Sequence, residues 1–176
     1  MPLKMGLIHY YYGNGKGKTT AAMGLALRAM GNGLRVLIVQ FLKNGTSAEV
    51  KMLKQMGANV LAVEGIAGFS FQMTEEQKQA CAAEQNLNLE AAAAAVAEGS
   101  CDVLVLDEIG SALSLDMVSR ERLESLLEKR HPSVEVVMTG HKLDPMLHEK
   151  ADYVTRMEKQ KHPFDRGIIA RKGIEF

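Results

Sequence analysis

The sequence contains no tryptophan, only two cysteines and four prolines, and no excess of charge of either sign. Each shortage excludes something. Two cysteines, Cys81 and Cys101, cannot build a disulfide framework, and neither belongs to a C-x-x-C pair, so they read as reduced thiols of a cytoplasmic protein. Lys+Arg and Asp+Glu both number 21, so the formal net charge is zero and the electrostatic signature of a nucleic-acid-binding surface is missing. The five histidines show no metal-ligand spacing such as H-E-x-x-H. No apolar run approaches the ~18 residues of a membrane span, and the N-terminus has no basic-then-apolar leader pattern. A soluble, cytoplasmic chain without membrane or nucleic-acid partners is expected.

What is present is ordinary for a globular protein: 176 residues, 47% hydrophobic and 24% charged. The length suggests one domain spanning residues 1–176. Short apolar runs at Leu7–Tyr11, Leu34–Phe41, Asn59–Val63, Val103–Leu106, Val134–Met138 and Tyr153–Met157 read as strands. Between them lie helical patterns. One runs from Gly17 to Met30 and is stopped by Gly31 and Gly33. Capping boxes at Thr46/Glu49 and Thr74/Gln77 announce two more, the second running to Glu98. Val118–Lys129 and Pro145–Lys150 complete the set. Strands alternating with helices imply an α/β fold with a mainly parallel central sheet flanked by helices on both faces, of P-loop NTPase-like type. The strand order does not follow from this pattern.

The strongest chemical signal is Gly13-Asn14-Gly15-Lys16-Gly17-Lys18-Thr19-Thr20, between the first strand and the first helix. Successive amides in a glycine-rich turn make a concave nest for phosphate oxygens, and the helix start adds free N–H groups and the positive dipole end. Lys18 supplies a mobile charge and the Thr19 hydroxyl suits Mg²⁺. The usual spacing, G-x-x-x-x-G-K-[ST], puts a glycine where this chain has Tyr12, so the loop is a variant. Further along, Leu104-Val105-Leu106 delivers Asp107 and Glu108 to a strand end, the pattern of carboxylates that hold Mg²⁺. His141, after Thr139-Gly140 at another strand end, is a candidate wall of the same crevice. Phe69 and Phe71 lie on a glycine-flanked loop, Glu64–Met73. These residues predict a nucleotide triphosphate site. They leave open whether the protein is a hydrolase, a kinase, another transferase, or a binding protein without turnover.

The combination resembles the P-loop ATP:corrinoid adenosyltransferases. The likeness rests on Gly13–Ala22, Val39-Gln40-Phe41-Leu42-Lys43, Val105–Ile109, Thr139-Gly140, Ala151-Asp152, Lys161-His162-Pro163-Phe164, Gly167 and the closing Lys172–Phe176. A non-glycine residue at the Tyr12 position is shared with that family. The resemblance implies transfer of the 5′-deoxyadenosyl group of ATP to the Co(I) centre of a corrinoid, with tripolyphosphate leaving, in adenosylcobalamin biosynthesis or salvage. It further implies a homodimer and an electron-donating reductase or flavoprotein. By the same resemblance Gly13–Thr20 bind ATP, Lys18, Thr19 and Glu108 are catalytic, and Thr19, Glu108 and Asp107 hold Mg²⁺. Phe69 and Phe71 match an aromatic pair on the corrinoid side, with Phe71 standing where tryptophan is often found. Three further departures bear on that side. His141 replaces an arginine, Gly110 replaces a polar residue, and the loop Asn44–Ala48 is short. The sequence also begins without the N-terminal extension of some members.

Overall fold

The computed structural model of the protein describes residues 3–63 and 73–175. Six strands, β1 (Ile8–Tyr12), β2 (Val36–Gln40), β3 (Asn59–Ala62), β4 (Val103–Asp107), β5 (Glu135–Gly140) and β6 (Tyr153–Arg156), form one sheet in the order β3-β2-β4-β5-β1-β6. Every pairing is parallel. A parallel sheet needs both faces covered, and the strand composition provides for it. Along β4, Val103 and Val105 face one layer while Leu104 and Leu106 face the other. The first layer is α1 (Lys18–Gly31) and α2 (Ala48–Gln55), contributing Ala22, Met23, Ala26, Val50 and Leu53. The second contains α3 (Glu75–Ala97), α4 (Ile109–Ser114), α5 (Arg120–Lys129) and α6 (Pro145–Lys150), through residues such as Leu89, Ile109, Leu123, Leu127 and Leu147. This is the P-loop NTPase-like arrangement expected. Among the described residues no helix is long and apolar enough to cross a membrane.

The order of strands is what builds the site. β5 lies between β1 and β4, so the loop after β1 and the carboxylates ending β4 flank Thr139-Gly140. Helix α4 comes unusually close to β5 just there. A Cβ on Gly140 would lie 2.9 Å from the Gly110 Cα, and one on Gly110 would lie 3.0 Å from the Tyr10 Oη. Gly110, a departure from the family pattern, is therefore explained by packing. Tyr10 is fully buried and its hydroxyl donates to the Lys142 carbonyl at 2.5 Å. Burial pushes its pKa up to about 12, so it stays a donor that pins the chain leaving β5.

Local signals succeeded unevenly. The Thr74/Gln77 capping box forms in both directions, at 3.2 and 2.9 Å. The Thr46/Glu49 box does not. Thr46 Oγ1 donates instead to Asn44 Oδ1 at 2.6 Å, and α2 starts after Ser47 without a side-chain cap. Short polar side chains compete for one another in such turns, and here the neighbour won. Helix α4 was not anticipated, because six residues carry too little periodicity to read. Helix α5 begins at Arg120 rather than Val118: the Ser119 hydroxyl caps it, and Val118 is buried in the core.

Both cysteines are buried. Burial pushes the Cys101 thiol up to about 11 and raises that of Cys81. A buried, protonated thiol is a poor nucleophile. Neither cysteine is expected to react with Ellman's reagent in the native protein, and both should react after unfolding in guanidinium. Prompt labelling of the native form would show that one of these layers opens readily.

Candidate active site

The turn begins one residue later than the usual spacing suggests. Tyr12 is the last residue of β1, paired with Gly140 and Arg156, and its ring stacks on Tyr10 with centroids 5.5 Å apart. A strand residue needs no positive φ, so a side chain is tolerated where the common motif has glycine. Gly13 does need to be glycine. Its φ is 116°, and a Cβ there would lie 2.2 Å from the Met157 carbonyl oxygen. That carbonyl belongs to the segment after β6, which straps the loop. Gly15 N donates to Met157 O at 2.8 Å, Met157 N donates to Tyr12 O at 2.7 Å, and Lys159 N donates to Asn14 Oδ1 at 3.0 Å.

Gly17, with φ 109°, precedes α1 and offers it no side-chain cap. The first-turn amides of α1 have no acceptor within the helix, and they sit at its positive dipole end. The ladder starts with Ala21 N donating to Gly17 O at 2.8 Å. Lys18 curls back, its Nζ donating to Gly15 O at 2.7 Å. Burial lowers the Lys18 pKa, while the carboxylates of Glu108 and Asp107 act against that shift. Asn14, Lys16 and Thr20 are exposed at the rim of the loop.

Asp107 is the centre of the arrangement. It is fully buried and accepts four hydrogen bonds. Its Oδ1 receives Thr19 Oγ1 and Thr139 Oγ1, each at 2.9 Å. Its Oδ2 receives Lys43 Nζ at 2.8 Å and Gln40 Nε2 at 3.0 Å. Glu108 follows in the left-handed region at φ 65°, a conformation that costs about 1 kcal/mol for a side-chain-bearing residue. Its amide donates to Thr139 Oγ1 at 2.7 Å, which holds it there. The Glu108 carboxylate accepts from Ser111 Oγ at 2.6 Å, and Ser111 Oγ accepts from His141 N at 3.2 Å. Hence His141 meets the site through its backbone, while the residue itself is exposed. Leu42, at φ 58° with its amide donating to the buried Gln85 Oε1 at 3.1 Å, turns the chain so that Lys43 reaches back to Asp107.

Gly13–Thr20, Asp107, Glu108 and the backbone of His141 are thus assembled at one edge of the sheet, whereas Phe69 and Phe71 lie outside the described residues. Three participants were given no role from sequence: Lys43, Gln40 and Ser111, although the first two belong to the Val39–Lys43 stretch that carries the resemblance. Gln40 ends the buried strand β2 and Lys43 follows it by three residues, at the edge where ligands bind in open α/β sheets. That location was a usable signal. Ser111 lies three residues after Glu108, a helical spacing that was also visible.

The family model for ATP:corrinoid adenosyltransferases BtuR/CobO/CobP matches residues 4–176. The chain belongs to this family. It is 34% identical over 172 residues to the corrinoid adenosyltransferase of Pseudomonas aeruginosa, an alignment covering 97% of this chain and 84% of that protein. Against corrinoid adenosyltransferase CobA of Salmonella typhimurium the identity is 34% over 173 residues, and against the Escherichia coli K12 corrinoid adenosyltransferase it is 33% over 173 residues. In both cases 97% of this chain and 86% of the relative are covered. For this adenosyltransferase-family chain the match therefore includes the tail that straps the loop. The closing residues contribute further: Gly173, Ile174 and Glu175 line an apolar cavity of about 550 Å³ with Thr20, Leu27 and Met52 of the first helical layer. Arg171 donates twice from its side chain to the Glu175 carboxylate, holding its pKa down to about 2.

Proposed function

We propose that this protein transfers the 5′-deoxyadenosyl group of ATP to the cobalt of a corrinoid reduced to Co(I), releasing tripolyphosphate, in the biosynthesis or salvage of adenosylcobalamin. The observation that carries the reading is the tail. The family match extends through it, and it lies on the loop through Met157 and Lys159. In the reaction the cobalt electron pair forms the Co–C5′ bond, the C5′–O bond breaks, and its electrons leave with the tripolyphosphate. No proton has to be abstracted. A His–carboxylate pair is present, His9–Glu135 at 2.6 Å, but it stands at the start of β1, the opposite end of the strand from the loop.

The charge that grows on the leaving group calls for prepositioned donors. The loop amides, the N-terminus of α1 and Lys18 supply them. Thr19 Oγ1 and the carboxylates of Asp107 and Glu108 are hard oxygen donors that suit Mg²⁺, which takes one or two carboxylates plus phosphate oxygens and water. Mg²⁺ bound there neutralises triphosphate charge. Phe69 and Phe71 supply the aromatic pair of the corrinoid side. The same reading has the chain working as a cytoplasmic homodimer supplied by an electron-donating reductase or flavoprotein.

Anaerobic incubation with ATP, Mg²⁺ and a Co(I) corrinoid tests the proposal. An adenosylated corrinoid with stoichiometric tripolyphosphate is expected. ADP and orthophosphate as products would overturn it and identify an ordinary P-loop ATPase.

Ser111 offers a finer test. Ser111→Ala removes the donor that orients Glu108 and is expected to lower kcat roughly tenfold, the scale of one lost hydrogen bond to a charged group. Thermal stability should hardly change, and Ser111→Thr should restore most of the rate. An unaltered kcat in Ser111→Ala would remove Ser111 from the site.

A further inference from the structure

Lys43 occupies an unexpected place. Its ammonium lies 2.8 Å from Asp107 Oδ2, 3.2 Å from Thr19 Oγ1 and 3.9 Å from Glu108 Oε1. Those three groups are the ones proposed above to hold Mg²⁺. A monovalent cation built into the chain therefore sits among the ligands of a divalent one. With Lys18 and Lys43 opposite Asp107 and Glu108, the site is charge-balanced before any ligand arrives.

A further acceptor belongs to a residue that lines the same cavity as Lys43. The Gln40 amide donates through Nε2 to the same Asp107 oxygen, which fixes its orientation and points Oε1 the other way. Gln40 is 1% exposed and its Oε1 has no partner among the described residues. A buried, unpaired carbonyl of this kind is costly and calls for an explanation. Gln40 and Lys43 line a common cavity of about 460 Å³ with Ser47, Lys51 and Lys172, and among the described residues the buried Ser47 Oγ is unpartnered as well. The Lys43 side chain is about one-third exposed, so it has room to move.

We propose that Lys43 is a resident counter-cation that holds the metal position while the nucleotide is absent. Mg²⁺ entering with ATP displaces its ammonium, which then turns to Gln40 Oε1 and the adjoining cavity. The device keeps the carboxylates paired in the free protein and couples metal entry to nucleotide entry, because Mg²⁺ alone must compete with a tethered ammonium. It rests on the reading of Thr19, Asp107 and Glu108 as metal ligands, and its test does not depend on which reaction follows.

The test is Mn²⁺ binding to the nucleotide-free protein, followed by electron paramagnetic resonance of the free ion. Wild type should bind Mn²⁺ weakly. Lys43→Gln, which keeps an N–H donor for Asp107 but removes the charge, should bind Mn²⁺ on the order of tenfold more tightly or better, as removal of an adjacent like charge predicts. Lys43→Met should do the same, and Lys43→Arg should remain weak. Circular dichroism confirms that each variant is folded. Unchanged or weaker Mn²⁺ binding in folded Lys43→Gln and Lys43→Met overturns the inference, even if adenosyl transfer is found. Tighter binding upholds it, even if the products turn out to be ADP and orthophosphate.

Discussion

Lys18→Ala is expected to lower kcat by on the order of 10²–10³-fold, the usual consequence of removing one donor aimed at developing charge. Lys18 leads α1, beside the loop amides and within electrostatic reach of Glu108 and Asp107. Among the described residues its one hydrogen-bond partner is the Gly15 carbonyl. Triphosphate binding therefore replaces a neutral acceptor by a multiply charged one, worth about 1.5–3 kcal/mol for a charged hydrogen bond. ATP affinity should fall roughly 10- to 100-fold as a result. Folding should be nearly untouched, because the side chain is partly buried against its own charge preference and makes one bond. The midpoint of thermal unfolding is expected to move by about 2 °C or less. Lys18→Arg should not rescue, since a planar fork does not fit where a compact ammonium curls over a loop carbonyl. Steady-state kinetics and calorimetric ATP titration check this. Activity within twofold of wild type would place the triphosphate elsewhere.

How far the sequence could be read depended on whether the causes were local. The loop from Gly13 to Thr20 is contiguous, and its glycines are demanded by φ at Gly13 and Gly17, so it was legible. The strand ending at Asp107 was legible because five consecutive buried residues leave little ambiguity. The strand order was not. β5 slots between β1 and β4 through pairings such as Tyr12 with Gly140 and Leu106 with Met138, which join residues far apart in the chain. Helix α4 escaped notice because its six residues carry too little periodicity to read and no side-chain cap marks its start.

The same division runs through the site. Tyr12 read as a variant of the motif, and its place in β1 supplies the reason that no glycine is needed there. Asp107 read as one Mg²⁺ ligand beside Thr19 and Glu108, and it is also the residue on which Thr19, Thr139, Gln40 and Lys43 converge. No spacing rule brings those four together; the parallel register of β2, β4 and β5 places Gln40 and Thr139 beside Asp107, while Thr19 comes from the start of α1 and Lys43 from the turn after β2. His141 read as a candidate wall of the crevice, and the contact it makes there is through its backbone amide on Ser111.

Asp107 separates folding from chemistry most sharply. Asp107→Ala removes an acceptor of four hydrogen bonds from a fully buried position and leaves the Lys43 ammonium with only its longer contacts to Thr19 Oγ1 and Glu108 Oε1 among the described residues. Breaking a buried pair from one side costs about 3–5 kcal/mol, and with Lys43 about one-third exposed the lower end applies, about 3 kcal/mol, which for a chain of this length lowers the thermal midpoint by roughly 6–12 °C. Asp107→Asn should cost less, about 1–3 kcal/mol. Its amide oxygen can face Gln40 Nε2 and Lys43 Nζ, which only donate, while its NH₂ faces the hydroxyls of Thr19 and Thr139, which can rotate to accept. The fold then survives, but the carboxylate charge is gone and the Thr19 hydroxyl is turned by its new partner. If Asp107 helps to hold Mg²⁺, both variants should lose on the order of 10²-fold or more in kcat despite their different stabilities. Parallel loss of rate and stability, with Asp107→Asn nearly as active as wild type, would instead make Asp107 a structural hub and leave the metal to Thr19 and Glu108.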